Sequence, residues 1–170
     1  MLSLIALAAA ATAPEAPALN ASVPWWDKIT MVMDSTGAEK ACTYESSLSR
    51  SLSSSCETSE TGTPSKSAKT PIGVVTKISF ERRFSPGERP EPGRLEPGDT
   101  LIGRQLIHLS IDSAGAVRSC KVVDASGEVP DYGCKEAQTE TFALKTNAST
   151  DQLHQGFMTI LVYGHAEQVV

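Results

Sequence analysis

Few side chains in this 170-residue chain have the types and spacing that metal binding or catalysis requires. Its three histidines, His108, His154 and His165, lie far apart in the sequence. His108 alternates with the apolar residues Ile107 and Leu109, a pattern typical of a strand residue that faces solvent. Because the sequence also lacks His-Glu-x-x-His and Cys-x-x-Cys, it predicts no metal site and no bound cofactor.

Hydroxyl and carboxylate groups do not form a recognisable catalytic set either. A serine-rich run spans positions 46–55, but no identifiable base accompanies it that would make a hydroxyl nucleophilic. Glu136 and Glu140 share a helix face at i, i+4, which is typical of a solvated surface. Gly-x-Ser-x-Gly, Ser-x-x-Lys and phosphate-binding Gly-rich motifs are absent. The sequence therefore predicts that the protein is not an enzyme, with a serine or carboxylate hydrolase as a minor alternative.

The cysteines form an even set, which favours disulfide pairing in an oxidising compartment. They are Cys42, Cys56, Cys120 and Cys134. Because the chain has no Cys-x-x-Cys, neither a thioredoxin-like redox site nor a common zinc knuckle is expected. Reactive free thiols are the alternative, for which the neighbouring Lys121 and Lys135 offer little support.

An internal repeat selects one way of pairing these cysteines. Shifting the chain by 78 positions places residues 34–42 over residues 112–120, with five identities in nine positions. In the same register Cys56 falls on Cys134, so each copy can close its own loop. The predicted bridges are Cys42–Cys56 and Cys120–Cys134. Each would stabilise its copy by ~3 kcal/mol in the chain-entropy model.

Each copy opens with a predicted β-hairpin. Apolar side chains at alternate positions indicate a half-buried strand before each turn. These are Ile29, Met31 and Met33 in the first copy, and Ile107, Leu109 and Ile111 in the second. The shared Asp-Ser-x-Gly-Ala turn, in which Gly37 and Gly115 can adopt positive φ, then returns the chain as a second strand. A closing apolar strand is predicted at 74–80 in the first copy and at 157–163 in the second.

A helix is predicted between hairpin and closing strand. In the second copy, apolar residues at helical spacing follow Asp131, a suitable N-cap, and predict a helix over 131–144. The matching stretch, 48–56, is rich in serine and is a poorer helix.

We therefore predict an α+β fold of two tandem β-β-α-β modules with antiparallel sheets. The modules cover residues 23–84 and 100–166, with a Pro/Gly-rich linker at 85–99.

The second copy also resembles a known domain. From Leu101 onward it combines an alternating strand, an Asp-x-x-Gly turn and a valine-rich return strand that contains Cys120. An Ala125-Ser126-Gly127 motif, a short helix, Phe142 and a closing apolar strand follow. This order resembles the C-terminal domain of TonB-family proteins, and most closely exported members that contain cysteines and have no membrane anchor. The resemblance implies a β-β-α-β sheet whose last strand accepts an extended peptide or pairs with a second copy.

The first residues of the chain predict its destination. Residues 1–18 resemble a cleaved export signal, ending in the small-x-small pattern Ala16-Pro17-Ala18. We therefore expect a periplasmic or secreted bacterial protein with no stable membrane insertion after cleavage. A buried N-terminal helix of a cytosolic protein is the alternative. The net charge of -5 and the pI near 5.2 make nucleic acid an unlikely partner.

Together these features predict a non-enzymatic periplasmic binding module that docks an extended peptide or a cell-envelope protein on a sheet edge. The expected edge is the last strand, with docking residues Phe157, Thr159, Leu161 and Tyr163. Trp26 has the opposite strand parity to the expected core residue Trp25, which makes it a candidate interface residue. The alternative is a disulfide-stapled secreted inhibitor or a structural envelope protein. The two copies are expected to pack as a pseudo-twofold pair within a monomer.

Overall fold

The computed structural model describes residues 18–48, 54–55, 74–91, 95–128, 130–145 and 152–168. Its main element is a seven-stranded antiparallel sheet, and a two-stranded parallel sheet lies beside it. The elements in chain order are β1 (Leu19–Asn20), β2 (Trp25–Met33), β3 (Glu39–Ser46), β4 (Ser54–Ser55), β5 (Val74–Pro86), β6 (Asp99–Ile111), β7 (Val117–Gly127), α1 (Cys134–Ala137), β8 (Phe142–Ala143) and β9 (His154–Gln168).

The two predicted hairpins are confirmed as β2–β3 and β6–β7. In the first turn, Asp34 Oδ1 accepts hydrogen bonds from the N–H groups of Thr36 and Ala38 at 2.8 and 3.0 Å. The Asp112 carboxylate makes the two corresponding contacts in the second turn, both at 2.9 Å. Each turn has a glycine with positive φ, 82° in the first and 85° in the second. The two turns are thus built alike, as expected where the Asp-Ser-x-Gly-Ala sequence recurs.

Apart from the short strand β4, the order of the large sheet is symmetric about the β5–β9 seam. It runs β4-β3-β2-β5-β9-β6-β7, so each hairpin is followed inward by its own closing strand. The closing strands β5 and β9 pair with each other over thirteen residue pairs, from Val74↔Gln168 to Pro86↔Gly156. The two halves of the chain are therefore joined along a single central seam. That the halves arose by duplication stays a prediction.

The predicted α+β fold of β-β-α-β modules is wrong, since strands dominate the described residues. The helix predicted over 131–144 is reduced to the four residues of α1, and Gly133 rather than Asp131 occupies its N-cap position. Most of the helix predicted at 48–56 lies outside the described residues, and the part that is described includes the strand β4.

Strand pairing after α1 explains why this helix is short. Phe142 and Ala143 form β8, which pairs in parallel with β1 through Leu19 and Asn20. The β-branched side chains of Thr139 and Thr141 just before β8 also disfavour a helix. The partner strand lies more than a hundred residues earlier in the chain, so the local apolar pattern could not reveal it.

The hydrophobic core lies on one face of the large sheet, which we call the core face. Four large side chains form a row across β2, β5, β9 and β6, in which each is the Cα partner of the next. They are Trp25, Phe84, Met158 and Ile107, and each is at most 3% exposed. Phe142 of β8 covers this row, with its ring centroid 5.5 Å from that of Phe84. Trp25 is thus a core residue, as its strand parity predicts.

A buried ion-pair network on the core face ties the first half of the chain to the second. Arg82 of β5 binds Asp27 of β2 at 2.5 and 3.0 Å, and it binds Glu140 before β8 at 3.0 Å. The Tyr132 ring packs 4.8 Å from the guanidinium, and its hydroxyl donates to Glu140 at 3.2 Å. Burial lowers the pKa of Arg82, but the hydrogen bond and charge of Asp27 outweigh it, so the net pKa is raised. Glu140 is therefore a partner of Arg82 rather than part of a solvated helix face.

The connection between β5 and β6 covers part of the opposite face, which we call the polar face. β5 and β6 run in the same direction, because each is antiparallel to β9, so their connection has to cross β9. The described residues of this crossover segment are 87–91 and 95–98, and they lie beside polar-face side chains of the sheet. Thr159 and Leu161 of β9 are buried on this face, at 8% and 4% exposure.

Candidate functional site

The strand predicted as the docking edge lies in the interior of the sheet. β9 pairs with β5 on one side and with β6 on the other, so Leu161 is the Cα partner of both Glu81 and Arg104. The other predicted docking residues are likewise paired on both sides: Phe157, Thr159 and Tyr163. The prediction of a peptide-binding edge at these residues is wrong. Pairing the two closing strands with each other removes two long apolar edges at once.

β7 is one of the two outer strands of the large sheet. Its residues pair with β6 on one side, and among the described residues no strand pairs with it on the other. Val122 and Val123 are 43% and 36% exposed on this strand. An outer strand presents a row of backbone N–H and C=O groups to which another extended segment can add.

Two irregularities limit the length of regular strand at this edge. Register shifts in the β6–β7 ladder leave Arg118 and Val123 without a direct partner on β6. Bulges of this kind twist an edge strand and interrupt further pairing. The regular stretch between them is Ser119–Val122. Cys120 within it is disulfide-bonded to Cys134 at the start of α1, which confirms this predicted bridge and fixes the edge to the core.

The equivalent edge of the first half is covered by the chain itself. β3 is the outer strand of the first hairpin, and β4 pairs with it through Thr43 and Tyr44. The 78-residue shift places Thr43 on Lys121 and Tyr44 on Val122. The position at which β3 holds an extended segment thus corresponds to the regular stretch of β7.

The first-half disulfide is described in part. Cys42, which corresponds to Cys120, is also disulfide-bonded. Its predicted partner, Cys56, lies outside the described residues. β3 and β7 therefore each carry a disulfide-bonded cysteine at the same position of the repeat, directly before Thr43 in β3 and before Lys121 in β7.

An open cleft of about 650 Å³ lies on the polar face, between the first hairpin and the crossover segment. Trp26 and Arg83 are Cα partners on β2 and β5, and both line this cleft. Trp26 is 40% exposed, and the Arg83 side chain is 47% exposed. Leu95 and Glu96 of the crossover segment form the opposite wall. The candidate interface residue Trp26 thus lies beside a cation in a concave surface.

Several charged groups of this cleft already have a bonding partner. Arg83 Nε donates to Glu81 Oε1 at 2.5 Å, and the Tyr163 hydroxyl donates to Glu81 Oε2 at 3.1 Å. Burial and the charge of Glu81 both raise the pKa of Tyr163, which keeps its hydroxyl protonated. The hydrogen bond to Glu45 at 2.9 Å raises the pKa of Lys28. No nucleophile with an adjacent base is found among these described groups.

The three histidines do not come together. The His108 ring stacks on Phe157 with centroids 4.8 Å apart, and His165 Nδ1 lies 3.1 Å from Asp99 Oδ1. His154 lies at the start of β9, far along the strand from His165. Across the described ranges, no group of three or more histidine, cysteine or acidic side chains is placed to hold a metal ion.

Comparisons with protein-family models, with curated proteins and with solved structures find no match to this chain. The resemblance to the TonB C-terminal domain therefore stays a prediction from the sequence. No helix in the described part of the chain is long and apolar enough to cross a membrane. Residues 1–17 of the predicted export signal lie outside the described residues.

Proposed function

We propose that this protein is a non-enzymatic binding module that takes up an extended segment of a partner protein along the outer edge of β7. The difference between the two equivalent edges carries this proposal. β3 holds the short strand β4, whereas Ser119–Val122 has no strand beside it within the described residues. Strand addition derives affinity from main-chain hydrogen bonds and specificity from alternate side chains, so it needs no catalytic group.

The side chains of the edge define what a bound segment should contain. Lys121 and Val122 point to opposite faces of the sheet, as successive strand residues do. Lys121 is opposite His108 on the polar face, and Val122 is opposite the core residue Ile107. A segment with an acidic residue beside Lys121 and an apolar residue beside Val122 would complement both. Cross-strand pairs of these kinds contribute about 0.2 to 1 kcal/mol each.

The short regular stretch favours transient rather than permanent binding. Each added main-chain hydrogen bond contributes about 0.5 to 1.5 kcal/mol, and the bulges at Arg118 and Val123 limit how many can form. The Cys120–Cys134 bridge reduces the cost of binding, because the edge is already ordered before a partner arrives. The same bridge supports a periplasmic or extracellular site of action, since disulfides persist in oxidising compartments.

A pair of proline variants tests whether the β7 edge is used. Consecutive N–H groups of a strand point to opposite sides. One of Lys121→Pro and Val122→Pro therefore removes a donor to β6, and the other removes a donor that faces outward. Thermal unfolding identifies the variant that lacks the outward-facing donor, because its unfolding midpoint should stay near that of the wild type.

Site-specific photo-crosslinking then measures binding. A photoreactive amino acid at Val123 should form a discrete adduct in extract from the producing cells, and the outward-facing proline variant should abolish it. The matched control is the same amino acid at Val23, which is 39% exposed but lies away from the edge. An adduct of equal yield at both positions, or one that survives the outward-facing proline, would contradict the proposed function.

A further inference from the structure

Arg83 is held in the cleft of the polar face with part of its guanidinium unused. Its Nε is fixed by Glu81, and among the described residues its two terminal nitrogens have no hydrogen-bond partner. The next residue back along the chain, Arg82, points to the core face and has all three guanidinium nitrogens bonded to carboxylates. The comparison shows that one arginine is fully occupied by the fold and the other retains donors for a ligand.

The carboxylate beneath Arg83 makes this arrangement rigid. The Glu81 side chain is 7% exposed, and its two oxygens accept bonds from Arg83 and from the Tyr163 hydroxyl. A buried carboxylate bound on both oxygens holds the attached guanidinium in one orientation. A guanidinium fixed in this way presents a planar pair of donors that matches the geometry of a carboxylate.

An apolar surface lies next to these donors. Trp26 is the cross-strand Cα partner of Arg83, and Trp26, Pro24 and Leu95 line the same cleft. A volume of about 650 Å³ is within the range of small-ligand and peptide sites. The cleft therefore combines a charged donor pair with a hydrophobic contact area.

The acidic residues of the cleft restrict the charge of the ligand. Lys28 also lines the cleft but is paired with Glu45, whereas Glu96 and Asp99 add negative charge to that of the buried Glu81. A ligand with several negative charges, such as a nucleotide, would be repelled by these carboxylates. A single carboxylate meets less of this repulsion than a polyanion does, and its bonds to Arg83 offset what remains.

We infer that this cleft binds a ligand with one carboxylate attached to an apolar group, with Arg83 binding the carboxylate and Trp26 contacting the apolar part. The C-terminal residue of a peptide and a free carboxylic acid share this chemistry. The site lies at the first half of the sheet, away from the β7 edge, so the inference does not depend on the proposed strand addition.

Titration with a matched pair of ligands tests the inference. Acetyl-leucine and acetyl-leucinamide differ in the carboxylate alone, and binding is followed by NMR from the Trp26 indole N–H and the Arg83 side-chain N–H. Acetyl-leucine should bind saturably and at least about tenfold more tightly than the amide, as expected for a charge-assisted hydrogen bond. Equal affinities, or no saturable shift at millimolar concentrations, would overturn the inference.

Variants of the two residues separate recognition from folding. Arg83→Lys keeps a positive charge beside Glu81 but loses the paired donors, so the preference for acetyl-leucine should fall severalfold while the unfolding midpoint is kept. Trp26→Ala should weaken both ligands to a similar degree. Arg89→Gln on the crossover segment, at a separate cleft, is the control and should change neither. A carboxylate preference that is unchanged in Arg83→Lys would overturn the assignment.

Acetyl-Gly-Gly-Leu distinguishes the two sources of the carboxylate. If the natural ligand is a peptide C-terminus, this peptide should bind more tightly than acetyl-leucine, because the cleft extends beyond one residue. Equal or weaker binding would assign the site to a small carboxylic acid. Neither result depends on whether β7 accepts an extended segment, so this test is independent of the test of the proposed function.

Discussion

The outer strands β3 and β7 belong to hairpins built in the same way, yet their exposed sides have different surroundings. Both hairpins turn on an aspartate that binds two backbone N–H groups, and both outer strands carry a disulfide-bonded cysteine. β3 is paired on its outer side by β4, whereas the outer side of β7 has no strand within the described residues. The sheet thus shows, in one chain, both an occupied and an unoccupied form of the same edge.

This difference indicates how the chain controls its edges. The longest apolar strand, β9, is placed at the centre, where both sides are satisfied. The edge that stays open is interrupted by bulges at Arg118 and Val123, which leave a short stretch for pairing. An edge of this kind resists uncontrolled aggregation while it remains able to accept a short extended segment.

The largest effect is expected at the seam that both halves share. Leu161→Pro removes a backbone donor from a strand that is paired on both sides, which leaves a buried backbone carbonyl of a neighbouring strand without its hydrogen bond. The variant should lose cooperative thermal unfolding as measured by circular dichroism. The outward-facing proline on β7 is the control and should stay folded. A Leu161→Pro protein that unfolds near the wild-type midpoint would show that β9 is not central.

The second prediction concerns the ion pairs. Arg82→Met leaves Asp27 buried without its partner and should destabilise the protein by about 3 to 5 kcal/mol. The pair between Arg118 and Asp112 belongs to the second half alone, and Arg118→Met should leave the free energy of unfolding nearly unchanged. Urea unfolding measures both variants. If Arg82→Met and Arg118→Met lowered the free energy of unfolding by similar amounts, the Arg82 ion pairs would not be what joins the two halves of the chain.

Removal of the second-half bridge should affect the halves unequally. The double change Cys120→Ser and Cys134→Ser opens a loop with a sequence separation of 14 residues. The expected loss is ~3 kcal/mol, and amide hydrogen exchange should rise in β7 and α1 more than in β2 and β3. A uniform rise across both hairpins would indicate that the bridge stabilises the whole sheet rather than one edge.

The smallest effect is expected in the two turns. The hydrogen bond from Thr36 is the main cause that lowers the pKa of Asp34, and the Ala116 N–H lowers that of Asp112, each below the usual value of 3.8. A lowered pKa in the folded state stabilises the protein above pH 3.8, and this stabilisation is lost as the pH falls through the folded pKa. Asp34→Asn and Asp112→Asn should each lower the thermal midpoint at neutral pH.

For Asp34→Asn and Asp112→Asn, the difference in thermal midpoint from the wild type should become smaller in acid, where the wild-type carboxylates are protonated. Carbon-13 titration of the two carboxylates checks the cause directly. A value at or above 3.8 for one aspartate would show that the two turns are not equivalent.

Local features of the fold could be predicted from the sequence. The alternation of apolar and polar side chains around Ile107 and Leu109 predicts a half-buried strand. This prediction does not depend on the position of the strand in the sheet, because the side-chain period of a strand is a local property. The turn at Asp34 is also local, since its bonds span four residues or fewer. The pairing of Cys120 with Cys134 could be predicted because the internal repeat, which is visible in the sequence, places the cysteines at matching positions.

Long-range pairing could not be predicted in the same way. The apolar run around Leu161 indicates a strand, but whether it is central depends on pairing with Glu81, 80 positions earlier. The short helix α1 likewise depends on β1, which draws Phe142 into a strand. Val122 and Val123 are apolar residues of the kind found in cores, and their exposure follows from the position of β7 as an outer strand of the sheet.

Hydrogen exchange at the amides of Ser119–Val122, followed by NMR, tests the central claim most directly. In the free protein, an outward-facing amide at Lys121 or Val122 should exchange fast, while an equivalent amide at Thr43 or Tyr44 is protected by β4. Adding a short extended peptide that carries an acidic residue to lie beside Lys121 and an apolar residue to lie beside Val122 should slow exchange at the β7 amide. Protection of that amide already in the free protein, or exchange that a saturating peptide leaves unchanged, would contradict the account.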